Sequence, residues 1–142
     1  MIIQFTVMGT PKGKARPRFV RTCKGVRTYT PKQTETYQNE VAVAYMQSCK
    51  GAKLNGPIWA NITAYYAMPK STPKSKRSDM VWYDKKPDVD NIAKAVMDAL
   101  NGIAYDDDKQ ITSLIIDKRY GAPHIEVTMG EFNDGNNSAG GN

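Results

Sequence analysis

Acidic side chains are concentrated in one stretch of the sequence, between residues 85 and 111. Asp88 and Asp90 stand near its start, and three consecutive acids, Asp106–Asp108, stand near its end. Carboxylates grouped in this way repel one another, and they stay ionised together most easily when a cation lies among them. Oxygen-only ligands suit a hard divalent ion such as Mg²⁺, which in phosphodiester chemistry activates water and neutralises charge on the phosphate. The stretch therefore predicts metal-dependent chemistry on a phosphodiester.

The first two of these acids also admit a purely structural interpretation. Asp88 and Asp90 stand at the predicted start of a helix, where aspartate caps backbone N–H groups and meets the positive end of the helix dipole. Residues two apart on a regular helix point about 200° from each other. The two side chains can converge only if Asp88 is extended and Asp90 is helical, and Pro87 favours that boundary. Capping explains one of the two carboxylates, whereas metal binding explains both.

Two further features of the stretch are open to the same pair of interpretations. Lys94 follows Asp90 by four residues and shares its helix face. It predicts either a surface ion pair worth about 0.3–0.5 kcal/mol or a cation directed at the charge that develops on the scissile phosphate. The acids Asp106–Asp108 would, in isolation, form a solvated turn. Taken with Asp88 and Asp90, one of them is expected to complete a metal site from the far end of the helix.

Basic residues are concentrated in two other segments of a chain whose net charge is +6. Residues 1–34 contain eight lysines and arginines and no acid, and residues 69–86 contain six against two acids. This segregation predicts a polyanion held by basic segments and worked on by an acidic centre, with a solvated basic surface as the alternative. Phosphate contacts of this kind provide affinity without sequence readout. The expected contacts are Lys14, Arg16, Arg18, Lys74, Lys76, Arg77 and Lys86.

Composition excludes several other classes of site. The single histidine, His124, excludes sites that need two, and Cys23 and Cys49 lack the spacing of a zinc site or a disulfide scaffold. No apolar run approaches the roughly 18 residues of a membrane span, and the N-terminus lacks the features of a signal peptide. We therefore expect a cytoplasmic protein with no membrane segment and no small-molecule cofactor.

The pattern of apolar and turn-forming residues predicts one α/β domain over residues 1–132, followed by a disordered Gly/Asn-rich tail over residues 133–142. The expected order of elements is strand, hairpin, helix, strand, helix, strand, strand, which predicts a mixed sheet packed by two main helices. Thr30 is expected to cap the first helix, with Pro31 at its first position and Gln33 completing a capping box. The predicted elements cover residues 2–8, 18–29, 31–50, 58–68, 89–100, 110–116 and 124–129, the last two joined as a hairpin through 120–123.

A long polar loop over residues 69–87 separates the predicted strand at 58–68 from the predicted helix at 89–100. Loops of this length in compact domains are usually functional or disordered. Trp82 and Tyr83 lie within it among lysines and arginines. They suit stacking on nucleobases or on a guanidinium plane, and they equally suit anchoring of the loop to the core.

Several short motifs, taken together, resemble the RusA family of Holliday-junction resolvases. They are GTP at residues 9–11, RPRF at 16–19, YTP at 29–31, KPDVDN at 86–91 followed by Lys94, DALNG at 98–102 and DDKQ at 107–110. The likeness spans residues 2 to 130. The spaced set formed by the last three motifs is much more specific than any single piece.

The resemblance implies a small homodimeric α/β endonuclease, often prophage-borne, that nicks four-way DNA junctions symmetrically with Mg²⁺, or with Mn²⁺ in its place. It implies Asp88, Asp90, Asp108 and Lys94 as catalytic residues, with the three acids as metal ligands. Asp107 is the adjacent alternative ligand. A two-fold dimer suits the task, because two equivalent strands must be cut at one symmetric branch point.

Two alternatives to a junction resolvase stay open at this point. One is a junction-binding protein without catalysis, in which the acids only position the DNA. The other is a Mg²⁺-dependent nuclease that acts on flaps or replication forks. Its sequence would look the same, so only a comparison of substrates separates it from a resolvase.

Overall fold

The structure is a computed structural model, and it describes residues 1–15, 18–29 and 31–132. Three expectations fall outside these residues: the phosphate contact of Arg16, the capping role of Thr30 and the disorder of residues 133–142. They stay predictions.

The described chain forms a four-stranded mixed sheet and a separate two-stranded ribbon, with helices packed against the sheet. The sheet order is β1-β6-β4-β5; β4 and β5 are parallel, and the other neighbours are antiparallel. The α/β class, the mixed sheet and the two main helices are therefore confirmed. The elements are β1 (Ile2–Met8), β2 (Arg18–Thr22), β3 (Gly25–Tyr29), α1 (Lys32–Cys49), β4 (Ile58–Tyr66), α2 (Lys74–Arg77), α3 (Val89–Leu100), β5 (Ile111–Tyr120) and β6 (His124–Glu131).

One face of the sheet carries the core. Alternate residues of β1 and β4 are buried on this face, as the period of two along a strand requires. The helices α1 and α3 pack on it and on each other, and the ring of Phe5 meets that of Tyr45 edge-on at 5.5 Å. On the other face, the intervening β4 residues from Trp59 to Tyr65 remain partly or fully exposed. We call this second side of the sheet the open face.

The predicted hairpin between the last two strands is wrong. The strands β5 and β6 lie on opposite sides of β4, which is buried at alternate positions along its length. The connection crosses the end of β4, and Gly121 N donates to Tyr66 O at 2.9 Å. Two interstrand spacings are only about 10 Å, a distance that three connecting residues can span. The turn residues identify the reversal of direction, but they do not show that another strand lies between.

The start of α1 also differs from the expectation. The residue before its first turn is Pro31, which was expected at the first helical position, and no capping hydrogen bond from a side chain is formed among the described residues. The carbonyl of Pro31 instead accepts hydrogen bonds from Thr34 N and Glu35 N at 3.0 and 3.2 Å. Among the described residues, no helix is both long enough and apolar enough to cross a membrane.

Candidate active site

The first turn of α3 holds two of the predicted catalytic acids. Asp88 is the N-cap residue with an extended backbone (φ −70°, ψ 153°), and Asp90 lies in the first turn. The carbonyl of Asp88 accepts hydrogen bonds from Asn91 N and Ile92 N, both at 3.1 Å, but its side chain makes no capping hydrogen bond. The predicted boundary is therefore confirmed, and the capping interpretation does not account for the carboxylate of Asp88.

The outer face of α3 extends this polar surface. Its apolar side chains, including Ile92, Val96 and Leu100, are buried, while Asp90 and Lys94 are exposed. Within the part of the chain that the structure describes, Lys94 forms no ion pair with Asp90. The surface ion pair offered as the alternative role of Lys94 is thus not formed, and the ammonium remains available to an anion.

The segment that follows β1 lies across the start of α3. Lys14 N donates to Asn91 O at 2.9 Å, and the Tyr66 hydroxyl donates to Pro11 O at 3.0 Å. The approach is close at Gly13, where an added Cβ would lie 2.8 Å from Pro87 Cβ and 3.0 Å from Asn91 Cβ. Only glycine fits here without displacement, because carbon atoms pack best about 3.5–4.0 Å apart. The segment that crosses the start of α3 thereby forms a wall beside Asp88.

Two adjoining clefts of 310 and 430 Å³ flank this wall. Both are bordered by Gly13, Ala15, Lys86 and Pro87, so we treat them as one groove. Three lysines and one arginine line it, and Asp88 lies at the end nearest α3. We call it the basic groove; its charged lining residues are Lys12, Lys14, Arg18, Lys86 and Asp88.

Lys14 contacts an acid that was not assigned a role from the sequence. Its ammonium forms an ion pair with Asp98 Oδ2, a residue 84 positions away in the sequence. Asp98 lies eight residues after Asp90, so the helical repeat places both on about the same face of α3. The predicted phosphate contact of Lys14 would thus compete with this ion pair. The DALNG motif contained the relevant residue, but its spacing gave no reason to pair it with Lys14.

The acids after α3 have three different environments. Asp106 is exposed and its Oδ1 lies 2.6 Å from Lys53 Nζ. Asp107 caps a short 3-10 helix, Asp108–Gln110: its Oδ1 accepts from Lys109 N at 3.0 Å, while Gln110 Oε1 accepts from Asp107 N at the same distance. Asp106 and Asp107 therefore belong to a structural turn, as their sequence suggested. Asp108 takes part in neither the ion pair of Asp106 with Lys53 nor the capping contact of Asp107 with Lys109.

Asp107 and Asp108 are adjacent carboxyl groups whose pKa values shift in opposite directions. The backbone N–H of Lys109 and the Asp108 side chain lower the pKa of Asp107. The hydrogen bond to Asp107, burial, and the charges of Asp107 and Asp98 raise the pKa of Asp108. Negative charges this close together disfavour the ionised form of Asp108, so a cation placed here is favourable. The same acids and, above all, burial raise the pKa of Tyr105, which lies beneath them.

The predicted metal ligands do not form one compact group in this structure. Within the described ranges, no three His, Cys, Asp or Glu side chains are arranged to hold a metal ion. The charge of Asp98 acts on Asp108, and Asp98 lies about 12 Å along α3 from Asp90 by the helical rise. The chemistry of the donors nevertheless fits a hard cation, since all are carboxylates and the Asp88 side chain makes no capping hydrogen bond.

The other predicted DNA contacts have different surroundings. Arg18 and Lys86 line the basic groove. Lys74, Lys76 and Arg77 make up most of the exposed α2, within the segment predicted to be a loop. Arg77 is also structural, because its guanidinium donates to the carbonyls of Thr72 and Lys70 at 3.2 and 3.5 Å.

The loop that leads into Asp88 is held by residues that sequence reasoning missed. Lys118 Nζ donates to the carbonyls of Lys85 and Pro87, the latter at 2.9 Å. Tyr83 stacks on Tyr66 with ring centroids 4.1 Å apart, and its hydroxyl donates to Lys86 O at 2.9 Å. Tyr83 is therefore the anchor that was one of the two interpretations of the aromatic pair. No local pattern identified Lys118, because its partners lie more than 30 residues away.

The fold and the groove define a small α/β protein with aspartates beside a basic surface that suits a polyanion. The family model described as Endodeoxyribonuclease RusA matches residues 8–130. The chain therefore belongs to the RusA family of endodeoxyribonucleases, which confirms the resemblance seen in the motifs. It is also 35% identical over 137 residues to the uncharacterized protein YqaN of Bacillus subtilis strain 168, covering 91% of this chain and 96% of that protein. Nuclease action on DNA is the activity of this family.

Proposed function

We propose that this protein is a Mg²⁺-dependent, structure-selective endodeoxyribonuclease that resolves four-way DNA junctions by paired symmetric nicks. The observation that carries the proposal is the carboxylate of Asp88, which makes no capping hydrogen bond and lies at the end of the basic groove, in a chain of an endodeoxyribonuclease family. A groove with lysine and arginine walls binds the phosphate backbone. An unengaged aspartate beside it is suited to chemistry on that backbone.

The metal ligands in this proposal are Asp88, Asp90 and Asp108, with Asp107 as the alternative to Asp108. These carboxylates suit Mg²⁺, and Mn²⁺ is the expected substitute. When bound, the ion supplies positive charge to the scissile phosphate and favours the ionised form of the attacking water. The capping contact of Asp107 with Lys109 N favours Asp108 as the ligand, because Asp107 would have to give up a hydrogen bond of the turn.

The protein's own cations have two separate tasks in this mechanism. The groove residues Lys12, Arg18 and Lys86 bind phosphates on either side of the cut, which fixes the DNA in position. Lys94 is exposed on the outer face of α3 and lies one helical turn after Asp90. Its ammonium stabilises the charge on the phosphate and on the departing oxygen during cleavage.

We further propose that two copies of the chain act together on one junction. A four-way junction presents two equivalent strands related by a two-fold axis. An isologous homodimer presents two equivalent sites related in the same way. Paired symmetric nicks then require no second protein.

The experiment compares a synthetic mobile four-way junction with a linear duplex and a flap of the same sequence. Each DNA is incubated with wild type, Asp90→Asn or Asp106→Asn, in Mg²⁺ or in EDTA. Asp106 is a matched control, because it is an exposed aspartate of the same stretch whose only described partner is Lys53. We expect paired nicks on opposing strands of the junction with wild type and Asp106→Asn, and none with Asp90→Asn or in EDTA.

The other outcomes separate the alternatives. Tight binding of the junction with no nicks under any condition would contradict catalysis and leave a junction-binding protein. In that case Asp90→Asn keeps or tightens binding, because it removes a negative charge beside the DNA. Faster cleavage of the flap than of the junction would assign the enzyme to flaps or forks.

A further inference from the structure

The open face of the sheet continues beyond β5 through an additional extended segment. Trp82 forms an antiparallel bridge with Arg119, and backbone hydrogen bonds on both sides fix the pairing. Tyr83 N donates to Lys118 O at 3.1 Å, and Tyr120 N donates to Val81 O at 2.9 Å. The backbone of Trp82 is thus held as firmly as that of a strand. Its indole is nevertheless 59% exposed.

The indole of Trp82 stacks on a cation on one side only. The guanidinium carbon of Arg119 lies 4.5 Å from the centroid of the Trp82 ring. This confirms the guanidinium stacking that the sequence suggested for the aromatic pair. Arg119 pairs across the sheet with Tyr65, whose ring stacks on His124 with centroids 4.4 Å apart. Four planar side chains, Trp82, Arg119, Tyr65 and His124, therefore form a row across the open face, which we call the planar row.

The planar row carries the charge of Arg119 and, when His124 is protonated, a second positive charge. The Arg119 guanidinium is always charged. His124 places its Nδ1 2.7 Å from Ala122 O and its Nε2 3.0 Å from Glu126 Oε2. Both partners accept hydrogen bonds, and both ring nitrogens donate only in the imidazolium form, which these contacts therefore favour. Glu126 balances one of these charges, which leaves the end of the row at Trp82 and Arg119 basic.

Anchoring of the loop does not explain the exposed indole, because Tyr83 and Lys118 already anchor it. An aromatic ring with a cation beneath it and an open upper side is suited to a nucleobase. Bases stack on such rings whatever their identity, and the cation attracts the polyanion. Trp82 also lies six residues before Asp88, which limits their separation to about 21 Å. That distance corresponds to a few nucleotides.

We propose that Trp82 is a base-stacking residue that binds an unpaired nucleobase of branched DNA, with Arg119 beneath its ring. The base is unpaired because the indole must lie against the face of a base, and the faces are covered in an intact duplex. Paired bases separate most easily at the branch point of a junction. The inference rests on the proposed function for the identity of the DNA, but the stacking itself does not require cleavage.

The chain has two tryptophans, so each can be observed separately. Trp59→Phe leaves Trp82 as the only tryptophan, and Trp82→Phe leaves Trp59, which is partly buried on the open face and provides a matched control. Tryptophan emission is recorded in EDTA during titration with the four-way junction, a fully paired duplex of the same sequence and a single strand. We expect the junction and the single strand to quench the emission of Trp82, the duplex to leave it largely unchanged, and Trp59 to respond to none of them.

Binding measured by fluorescence anisotropy of labelled DNA provides the second readout. Trp82→Ala should weaken junction binding by about 5- to 150-fold, the effect of losing one stacked base. Trp82→Phe, which keeps a smaller ring, should recover part of the loss, and the melting temperatures show whether both variants fold. Unchanged affinity of Trp82→Ala together with unquenched Trp82 would overturn the inference. So would Trp82 emission that changes with protein concentration without DNA, because a second copy would then cover the ring.

The outcomes also distinguish this inference from the proposed function. If Trp82 is quenched by the junction but no DNA is nicked in Mg²⁺, the stacking stands and the nuclease proposal fails. If Trp82→Ala nicks the junction normally and DNA does not quench the Trp82 emission of the Trp59→Phe variant, the nuclease proposal stands and the stacking fails.

Discussion

Substituting Gly13 by alanine should disturb the wall of the basic groove with little chemical change. The added Cβ would lie 2.8 Å from Pro87 Cβ and 3.0 Å from Asn91 Cβ, both shorter than the roughly 3.5–4.0 Å of relaxed carbon contacts. The segment must therefore move by about 0.5–1 Å. Overpacking of this kind costs about 1–3 kcal/mol. Alanine restores about 0.4–1 kcal/mol by restricting the unfolded chain, because Gly13 does not have a positive φ.

The net expectation is a loss of about 1.3 kcal/mol in the free energy of unfolding, within a range of about 0–2.6 kcal/mol. For a chain of this length that lowers the melting temperature by about 2–10 °C, measured by calorimetry. The same movement stretches the hydrogen bond from Lys14 N to Asn91 O, now 2.9 Å, and shifts the groove relative to Asp88. Because a misplacement of about 1 Å can cost up to about 100-fold in rate, we expect junction nicking to fall by at least about tenfold.

Thr10→Ala is the control, since Thr10 is an exposed residue of the same segment that already has a Cβ and does not line the basic groove. It should melt and nick as wild type does. A Gly13→Ala protein with wild-type stability and rate would refute the packing of this segment on Pro87 and Asn91. Reduced stability with an unchanged nicking rate would show that DNA is not cut beside this wall.

Three further predictions follow from individual contacts. Lys118→Met removes the donor to the carbonyls on either side of Lys86. We expect kcat for junction nicking to fall about tenfold or more with little change in Kd, and Lys118→Arg to restore part of the rate. An equal loss of affinity would contradict a positioning role. The hydrogen bond to Glu126 raises the pKa of His124. The stability that His124 adds over a His124→Asn variant should therefore be complete below about pH 6.5 and disappear as pH rises through the raised pKa. A difference in melting temperature between the two proteins that stays constant from pH 5 to 9 would contradict this. Thr34 is 3% exposed, and its hydroxyl oxygen accepts a hydrogen bond from Ala15 N at 3.2 Å. Thr34→Val should lower the free energy of unfolding in denaturant by about 1–3 kcal/mol, and Thr34→Ser should lower it much less. Equal losses would exclude the hydrogen bond as the cause.

Local signals predicted the elements well because they depend on neighbouring residues. Pro87 correctly placed the boundary between an extended Asp88 and a helical Asp90. The RusA motifs gave the family, which the match over residues 8–130 confirms.

What the sequence could not predict depends on pairs that are distant in the chain. The ion pair of Lys14 with Asp98, the contact of Gly13 with Pro87 and the stacking of Tyr83 on Tyr66 each bring separate elements together. No periodicity encodes such pairs. The wrong hairpin has the same origin, because a turn sequence reports a reversal and not the identity of the neighbouring strand.

The assigned metal ligands are the part of the site in which the sequence pattern and the described geometry differ most. The acids of the KPDVDN motif stand at one end of α3, and Asp98, whose charge acts on Asp108, stands near the other. If they act on one phosphate, DNA and the cation must draw them into a single site. That is the central claim of the proposed mechanism.

A double-mutant cycle tests this claim most directly. The rates of junction nicking in Mg²⁺ are measured for Asp88→Asn, Asp108→Asn and the double variant, with Asp106→Asn as the control. Residues that act as one unit are strongly non-additive. We predict that each single variant loses at least about 100-fold and that the double variant is no slower than the slower single one. Wild-type nicking by Asp108→Asn, or losses that simply multiply, would contradict a shared site.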